Sequence, residues 1–531
     1  MLDGEQRESE GRGRGGLDCL PGIREGRLIS RMLALIPLML LYACNGGDIP
    51  EEVDPRPPNI LFISIDDLND WIEPLGGHPQ AHTPNLARLA EEGVSFTRAY
   101  TPSPSCNPAR TAIMTGLEPS TSGVYSNYQW WREVLPEAVT MTEHFMDHDY
   151  WAAGAGKIFH NNQPDPRSWN SYFPSLENHM PTDPRPVPQG ETARMPAFQD
   201  MYMAFDWAPL DVPDSEMGDF QSVQWVIDQL EREHEQPFFL GAGIYRPHLP
   251  WYVPQEYFDL FPLEEVQLTE VLDGDLNDVP ERGREIAHRG GGYHRNVVDA
   301  GLWQEATQGY LASIAFADAM LGRLLDALDA SPHADNTIVV LWSDHGWGLG
   351  EKEHWRKFAL WEHIARVPLM FRVPAGVQGL PEGTPVGRHS GRTVSLIDLY
   401  PTLVELAGIP MPSGLDGRSL VPLLEDPGQE WPHPAVTTYE YGEYSVRDER
   451  WRYIRYIDGS EELYDHTVDP REWTNLALDP SHADTMARLA AYIPADPSPF
   501  IDTDYELMPH HIPPLTSLED YLRRRELDLR R

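Results

Sequence analysis

Three cysteines in 531 residues, Cys19, Cys44 and Cys106, are too few for a disulfide framework, so a fold held by covalent cross-links is excluded. Basic residues are scarce as well. Forty-one Lys and Arg stand against 83 Asp and Glu, a formal net charge of -42, and no basic stretch is long enough to grip a phosphate backbone. That balance excludes nucleic acid as a partner. It also means that an anionic ligand needs positive charge concentrated in a pocket, because the outer surface repels it. Long hydrophobic runs are missing too. The apolar stretch Met32–Tyr42 is too short to span a bilayer stably. No internal repeat at solenoid spacing is present. Apolar residues in general are not lacking: 41% hydrophobic and 10% aromatic content suffices for a large core and more than one unit. Fifty prolines and 42 glycines imply many loops on that scaffold.

Met32–Tyr42 resembles the apolar region of a signal peptide. It leads into Leu41-Tyr42-Ala43-Cys44 and then Asn45-Gly46-Gly47, similar to a bacterial lipobox with Cys44 as the lipidated N-terminus. Tyr42 is an unusual residue there, and ordinary cleavage nearby or a retained anchor are the alternatives. Residues 1–27 are polar and rich in Gly, Arg and Glu, which puts the expected true start near Leu28–Met32, with Arg31 as the leading charge. The expectation is an exported protein, periplasmic or a membrane-anchored lipoprotein. Residues 1–44 are then an N-terminal extension with its signal segment, and 45–58 a Pro/Glu/Asp-rich linker. With Cys19 removed and Cys44 lipidated, Cys106 is the one remaining thiol.

Three unbroken apolar runs, Asn59–Ile65, Pro237–Gly243 and Thr337–Trp342, predict central parallel strands covered on both faces. Thr83-Pro84 predicts a helix start, with Leu86 and Leu89 on one face and Gly93 as the stop; Val94–Tyr100 predicts a short strand. Gln304–Ala330 has the apolar spacing of a long amphipathic helix. Strands alternating with helices give the α/β class. In such sheets chemistry gathers at the carboxyl ends of the strands, where Asp66, Asp67, Asp344 and His345 fall. The Pro-rich stretch Asn161–Asp219 reads as an insertion bordering the site rather than core. From Trp431 onward, Thr437–Tyr444, Trp451–Tyr456 and Glu462–Asp465 predict short strands of a small antiparallel subdomain.

Asp66, Asp67, Asp344 and His345 form an oxygen-rich set with one nitrogen, suited to Ca2+ or Mg2+ rather than to a thiolate metal. Pro108 belongs in the first turn of a helix, with Cys106 just before it, so the helix N-terminus would face an anion. Cys106-Asn107-Pro108-Ala109-Arg110, with Thr115-Gly116, reads C-x-P-x-R-x4-T-G. Lys157 and His160 are spaced K-x-x-H, His248 lies in Tyr245-Arg246-Pro247-His248-Leu249-Pro250, and Ser343–Glu351 is followed by Lys357.

The C-x-P-x-R run resembles the signature of the sulfatases, and its company resembles the iduronate-2-sulfatase branch over about Asn59–Asn475. Leu210-Asp211-Val212-Pro213-Asp214 and Pro237-Phe238-Phe239 resemble that branch as well. Arg246 departs from the more usual lysine of K-P-H, and Ala109 from the commoner serine. The resemblance implies an alkaline-phosphatase-like α/β/α sandwich with a large mostly parallel sheet, a catalytic domain at 59–430 and a C-terminal antiparallel subdomain at 431–531. It implies that Cys106 is oxidised by a formylglycine-generating enzyme and that the hydrated aldehyde attacks sulfur, giving covalent catalysis with a self-clearing intermediate. It also implies one Ca2+, with Mg2+ as the alternative, held by Asp66, Asp67, Asp344, His345 and the residue at Cys106. Arg110 would steady the nucleophile loop. Lys157 would bind sulfate oxygen, His160 would assist deprotonation, and His248 with Lys357 would protonate the leaving oxygen. The implied substrate is a sulfated oligosaccharide or polysaccharide: uronate 2-O-sulfate in a glycosaminoglycan, or a sulfated marine polysaccharide. A phosphate or phosphonate ester hydrolase and a non-catalytic sulfoglycan-binding lipoprotein remain the alternatives.

Overall fold

The apolar runs of the sequence become the centre of a nine-stranded sheet. Its members are β1 (Asn59–Ile65), β2 (Val94–Tyr100), β3 (Trp151–Gly156), β4 (Ser171–Phe173), β5 (Phe238–Ile244), β6 (Thr337–Trp342), β7 (Arg366–Val367), β8 (Leu369–Arg372) and β9 (Arg388–Ser395). The structure is a computed structural model that describes residues 57–160, 163–185, 205–289, 293–503, 505 and 513–528. The signal segment, Cys19, Cys44 and nearly all of the 45–58 linker lie outside the described residues. Among the described residues no helix is long and apolar enough to cross a membrane.

Across the sheet the order is β9, β2, then β7 and β8 along one edge of β2, then β6, β1, β5, β3 and β4. The β1–β5, β1–β6, β3–β5, β3–β4 and β2–β9 pairs are parallel, whereas β7 and β8 run antiparallel to their neighbours. β1 is buried along its whole length because both faces are covered. Leu61, Ile63 and Ile65 pack into one core with α1 (Pro84–Glu92), α3 (Gly218–Leu230) and α4 (Trp303–Ala330). Ile60 and Phe62 pack into the other with α2 (Cys106–Thr115) and α5 (Leu399–Ala407). The two-residue period of a strand thus divides one apolar run between two helical layers, an α/β/α sandwich. α1 has the expected bounds, with Leu86 and Leu89 buried. Its Thr83 hydroxyl does not cap the helix and instead accepts from the Glu73 N–H.

Three local expectations are corrected. The 161–219 stretch does not only border the site: β4 adds the edge strand next to β3, and Trp169 and Tyr172 enter the core. Three residues are too few to show a strand period among prolines. Thr437–Tyr444 is not one strand but the middle of a hairpin between β10 (Ala435–Tyr439) and β11 (Glu443–Arg447). Glu440 (φ 50°) and Gly442 (φ 88°) turn the chain there. Cys106 is the first residue of α2, with Ser105 at the cap position, rather than preceding the helix. With β12 (Trp451–Arg455) and β13 (Glu461–Asp465), the hairpin completes a four-stranded antiparallel sheet in sequence order.

Buried charges join this small sheet to the main one. Glu362, just before β7, pairs with Arg447 and Arg452, and Arg452 also pairs with Glu472, which His466 contacts at 2.8 Å. Burial alone would raise the Glu472 carboxyl, but the Arg452 guanidinium and His466 hold it below its ordinary value of 4.5. Because the folded state depresses this pKa, its stabilisation is complete above pH 4.5 and is lost as the pH falls. The thermal midpoint is therefore expected to decline below pH 4.5, with a shallower decline in Glu472→Gln. Equal slopes in calorimetry would contradict this.

Candidate active site

The sheet register gathers the site. Ser64 of β1 lies opposite Trp342 of β6 and Gly243 of β5, and Gly243 lies opposite Gly156 of β3. The residues just beyond these tips, Asp66-Asp67, Asp344-His345, Tyr245 and Lys157, leave the sheet at one level. Gly156 and Gly243 allow the approach: a Cβ on Gly156 (φ 74°) would stand 1.8 Å from the Gly243 carbonyl oxygen, and one on Gly243 2.2 Å from the Lys157 nitrogen.

Cys106 occupies the first turn of α2, fully buried, and the Asn127 side-chain oxygen holds that turn by accepting from the Asn107 N–H and the Ser105 hydroxyl. Around the Cys106 sulfur stand Lys357 Nζ at 2.9 Å, His345 Nε2 at 3.3 Å and Lys157 Nζ at 3.6 Å, and His160 hydrogen-bonds it as well. Burial would raise the thiol pKa, yet Lys157, Lys357 and His345 bring it well below the ordinary value. Burial takes His160 down to about 4, so it is neutral near pH 7.

Arg110 joins three strand tips. Its Nε donates to Asp344 (2.9 Å), one terminal nitrogen to Asp66 (3.0 Å), and the other to the Ser64 hydroxyl (3.1 Å) and the Lys157 and Ile158 carbonyls. Asp66 also accepts from Lys157 Nζ, and Asp67 from Lys357 Nζ at 2.8 Å. Burial works to raise the Asp66 carboxyl, but Lys157 and Arg110 hold it far below the usual range. Burial lifts Asp344 to about 6 against the pull of Arg110. Asp67 has a left-handed backbone (φ 58°), its N–H donates to Asp344, and its carbonyl accepts from the Tyr310 hydroxyl. His248 places Nε2 3.8 Å from Asp67 Oδ2, and its Nδ1 lies 2.7 Å from the Leu249 carbonyl.

All the sequence-singled residues therefore meet: Asp66, Asp67, Cys106, Arg110, Lys157, His160, His248, Asp344, His345 and Lys357. Arg246 pairs with Asp183 at 2.9 Å. Tyr310 of α4, Ser64 and Ser343, whose hydroxyl accepts from the Leu68 N–H, were not singled out as site residues. The only available signal was their place at strand tips or on a helix facing one.

A hard divalent cation fits this donor set. Ligand atoms of Asp67, Cys106 and His345, of Asp66, Cys106 and Asp344, and of Asp66, Asp67 and His248 each lie within 4.8 Å of one another. Asp67 Oδ2 is buried with no hydrogen-bond partner. Carboxylate oxygens with one imidazole suit Ca2+ or Mg2+.

The "Sulfatase" family model matches residues 58–409, and the model "N-sulphoglucosamine sulphohydrolase, C-terminal" matches 350–495. The chain is 37% identical to a sulfatase of Formosa agariphila over 87% of its own length and 91% of that protein's. It is 32% identical to human iduronate 2-sulfatase, over 67% of this chain and 70% of that one. Its fold superposes on the phosphonate monoester hydrolase of Agrobacterium radiobacter with a TM-score of 0.64, covering 82% and 94% of the two chains at 23% identity. Sheet, helical layers and strand-tip cluster define a hydrolase of the alkaline-phosphatase-like fold. The chain belongs to the sulfatase family, in its iduronate-2-sulfatase-like branch.

Proposed function

We propose that this sulfatase removes sulfate from a sulfated sugar, with Cys106 oxidised to formylglycine as its nucleophile. One observation supports this above others: the Cys106 sulfur is ringed by Lys357, His345 and Lys157, beside three carboxylates from the ends of two strands far apart in sequence. That sulfur stands where the attacking oxygen of the hydrated aldehyde would be. Uronate 2-O-sulfate is the first substrate, by likeness to human iduronate 2-sulfatase. Export, lipidation at Cys44 and maturation by a formylglycine-generating enzyme belong to the same reading.

Asp66, Asp67, Asp344 and His345 would hold a Ca2+ or Mg2+, which polarises sulfate oxygens when bound. Lys157 and Lys357 flank the nucleophile and offset charge on the sulfuryl group as it transfers. Neutral His160 accepts the proton of the nucleophile's hydroxyl. The Nδ1–H of His248 donates to Leu249, which leaves Nε2 to carry a proton to the departing sugar oxygen. Burial lowers the His248 pKa, and Asp67 opposes that effect.

The test is an intact mass of the tryptic peptide containing Cys106, paired with sulfate, phosphate and phosphonate esters as substrates. An unconverted thiol in active enzyme, or dominant phosphonate turnover, would overturn the reading. His248→Ala is expected to cost roughly 10²–10⁴-fold on an alkyl sulfate and far less on a nitrophenyl sulfate, whose leaving group needs no proton. Equal losses would remove His248 from the acid role. Chelation is expected to lower activity and added Ca2+ or Mg2+ to restore it; full activity in metal-free enzyme would contradict the cation.

A further inference from the structure

Buried arginines in this acidic chain have carboxylate partners: Arg110 with Asp66 and Asp344, Arg246 with Asp183, Arg282 with Glu443, and Arg452 with Glu362 and Glu472. Arg356 differs. Among the described residues no carboxylate pairs with it; one terminal nitrogen donates to the Tyr293 hydroxyl (3.1 Å), and its Nε is buried with no hydrogen-bond partner. Donors of this guanidinium are thus not spent on a protein carboxylate, and its planar fork is suited to an oxyanion.

Its position says where that anion would come from. The Arg356 guanidinium lies 6.0 Å from the Trp347 ring and 5.9 Å from the Phe358 ring. Lys357 Nζ lies over the same two rings, at 5.8 and 5.9 Å, and touches the Cys106 sulfur. Neighbouring residues of a regular strand point to opposite faces. Here Arg356 (φ 78°) and Phe358 (φ 77°) adopt left-handed backbone on either side of Lys357, and both cations reach the same aromatic pair. Such conformations cost of order 1–3 kcal/mol each and persist where the surroundings enforce them. Arg289, also near Phe358, is already paired with Glu440.

We propose that Arg356 is a specificity residue that binds a second oxyanion of the substrate, a carboxylate or a further sulfate on the sugar that carries the scissile ester. This rests on the sulfatase reading and narrows it to substrates with at least two anionic groups. The experiment compares formylglycine-bearing wild type, Arg356→Ala and Arg356→Lys on three esters sharing one scissile sulfate: a neutral sugar, the same sugar with a carboxylate, and the same sugar with a second sulfate. Arg356→Ala is expected to lose at least tenfold more kcat/KM on one or both of the doubly anionic esters than on the neutral one, mainly through KM, with Arg356→Lys recovering part. The ester showing the selective loss identifies the oxyanion. Equal losses on all three, with an unchanged melting midpoint, would overturn the proposal. Wild type releasing sulfate from none of them would instead strike the sulfatase reading. Calorimetric titration of wild type and Arg356→Lys with the sulfate-free acidic sugar and its neutral analogue gives a comparison independent of turnover. Tighter binding of the acidic sugar by wild type, weakened in Arg356→Lys, supports the proposal; equal binding of both sugars overturns it.

Discussion

Cys106→Ala is expected to abolish sulfate release, with kcat/KM falling by roughly 10⁴-fold or more, while the folded structure persists. The loss is that large because no neighbouring group can replace the missing nucleophile. Lys157 and Lys357 are ion-paired with Asp66 and Asp67, and His345 points its Nε2 at the sulfur. The stability cost is small by comparison. A short side chain is removed, and the carboxylates that compensate the two ammonium groups remain, so about 1–2 kcal/mol is expected. Steady-state sulfate release and urea unfolding measure the two quantities separately. Activity within tenfold of wild type would end the proposed mechanism; a collapsed fold would show that the residue had mainly a packing role.

Arg110→Ala is expected to have the largest effect on stability. The side chain is fully buried, and its removal leaves Asp66 and Asp344 facing each other with a guanidinium's worth of charge gone. It also takes one donor from the Ile158 carbonyl and one from the Lys157 carbonyl, which keeps the Ser64 hydroxyl. Breaking one partner from a buried ion pair typically costs about 3–5 kcal/mol, and here two pairs are broken at once. Arg110→Lys is expected to recover only part of that, because one ammonium cannot span three strand tips as a planar fork does. A urea midpoint shift corresponding to less than about 1 kcal/mol for Arg110→Ala would contradict this account. Activity is expected to fall with it, because Asp66 and the Lys157 backbone lose their common anchor.

Much of this arrangement was legible in the sequence for simple reasons. Asn59–Ile65 and Thr337–Trp342 are unbroken apolar runs, and only a doubly covered strand accommodates such a run. Once they are strands of an α/β sheet, Asp66, Asp67, Asp344 and His345 must sit at carboxyl ends. What could not be read was the register. Nothing local in the chain says that Gly156 lies opposite Gly243, or that Arg110 reaches the Lys157 carbonyl, because those contacts join residues far apart in sequence. Tyr310 was hidden differently: a helix judged by its apolar spacing gives no weight to a hydroxyl that donates to the Asp67 carbonyl. The hairpin at Glu440–Gly442 was missed because β-favouring residues continue on both sides of a turn whose one local sign was Gly442.

The order of strands in space also sets a timetable. β1 has both of its neighbours, β5 and β6, encoded far downstream, and β6 begins only at Thr337. At synthesis speeds of about 5–20 residues per second, the ribosome takes roughly 15–50 s to travel from one to the other. Through that interval Asp66 and Asp67 have no Asp344 or Lys357 beside them, and the thiol at 106 is still reachable. Once the last strand slots in, Cys106 has no solvent exposure at all. If Cys106 is oxidised as proposed, the oxidising enzyme would have to act on the emerging polypeptide, and a molecule that closes its sheet first would keep an unaltered thiol.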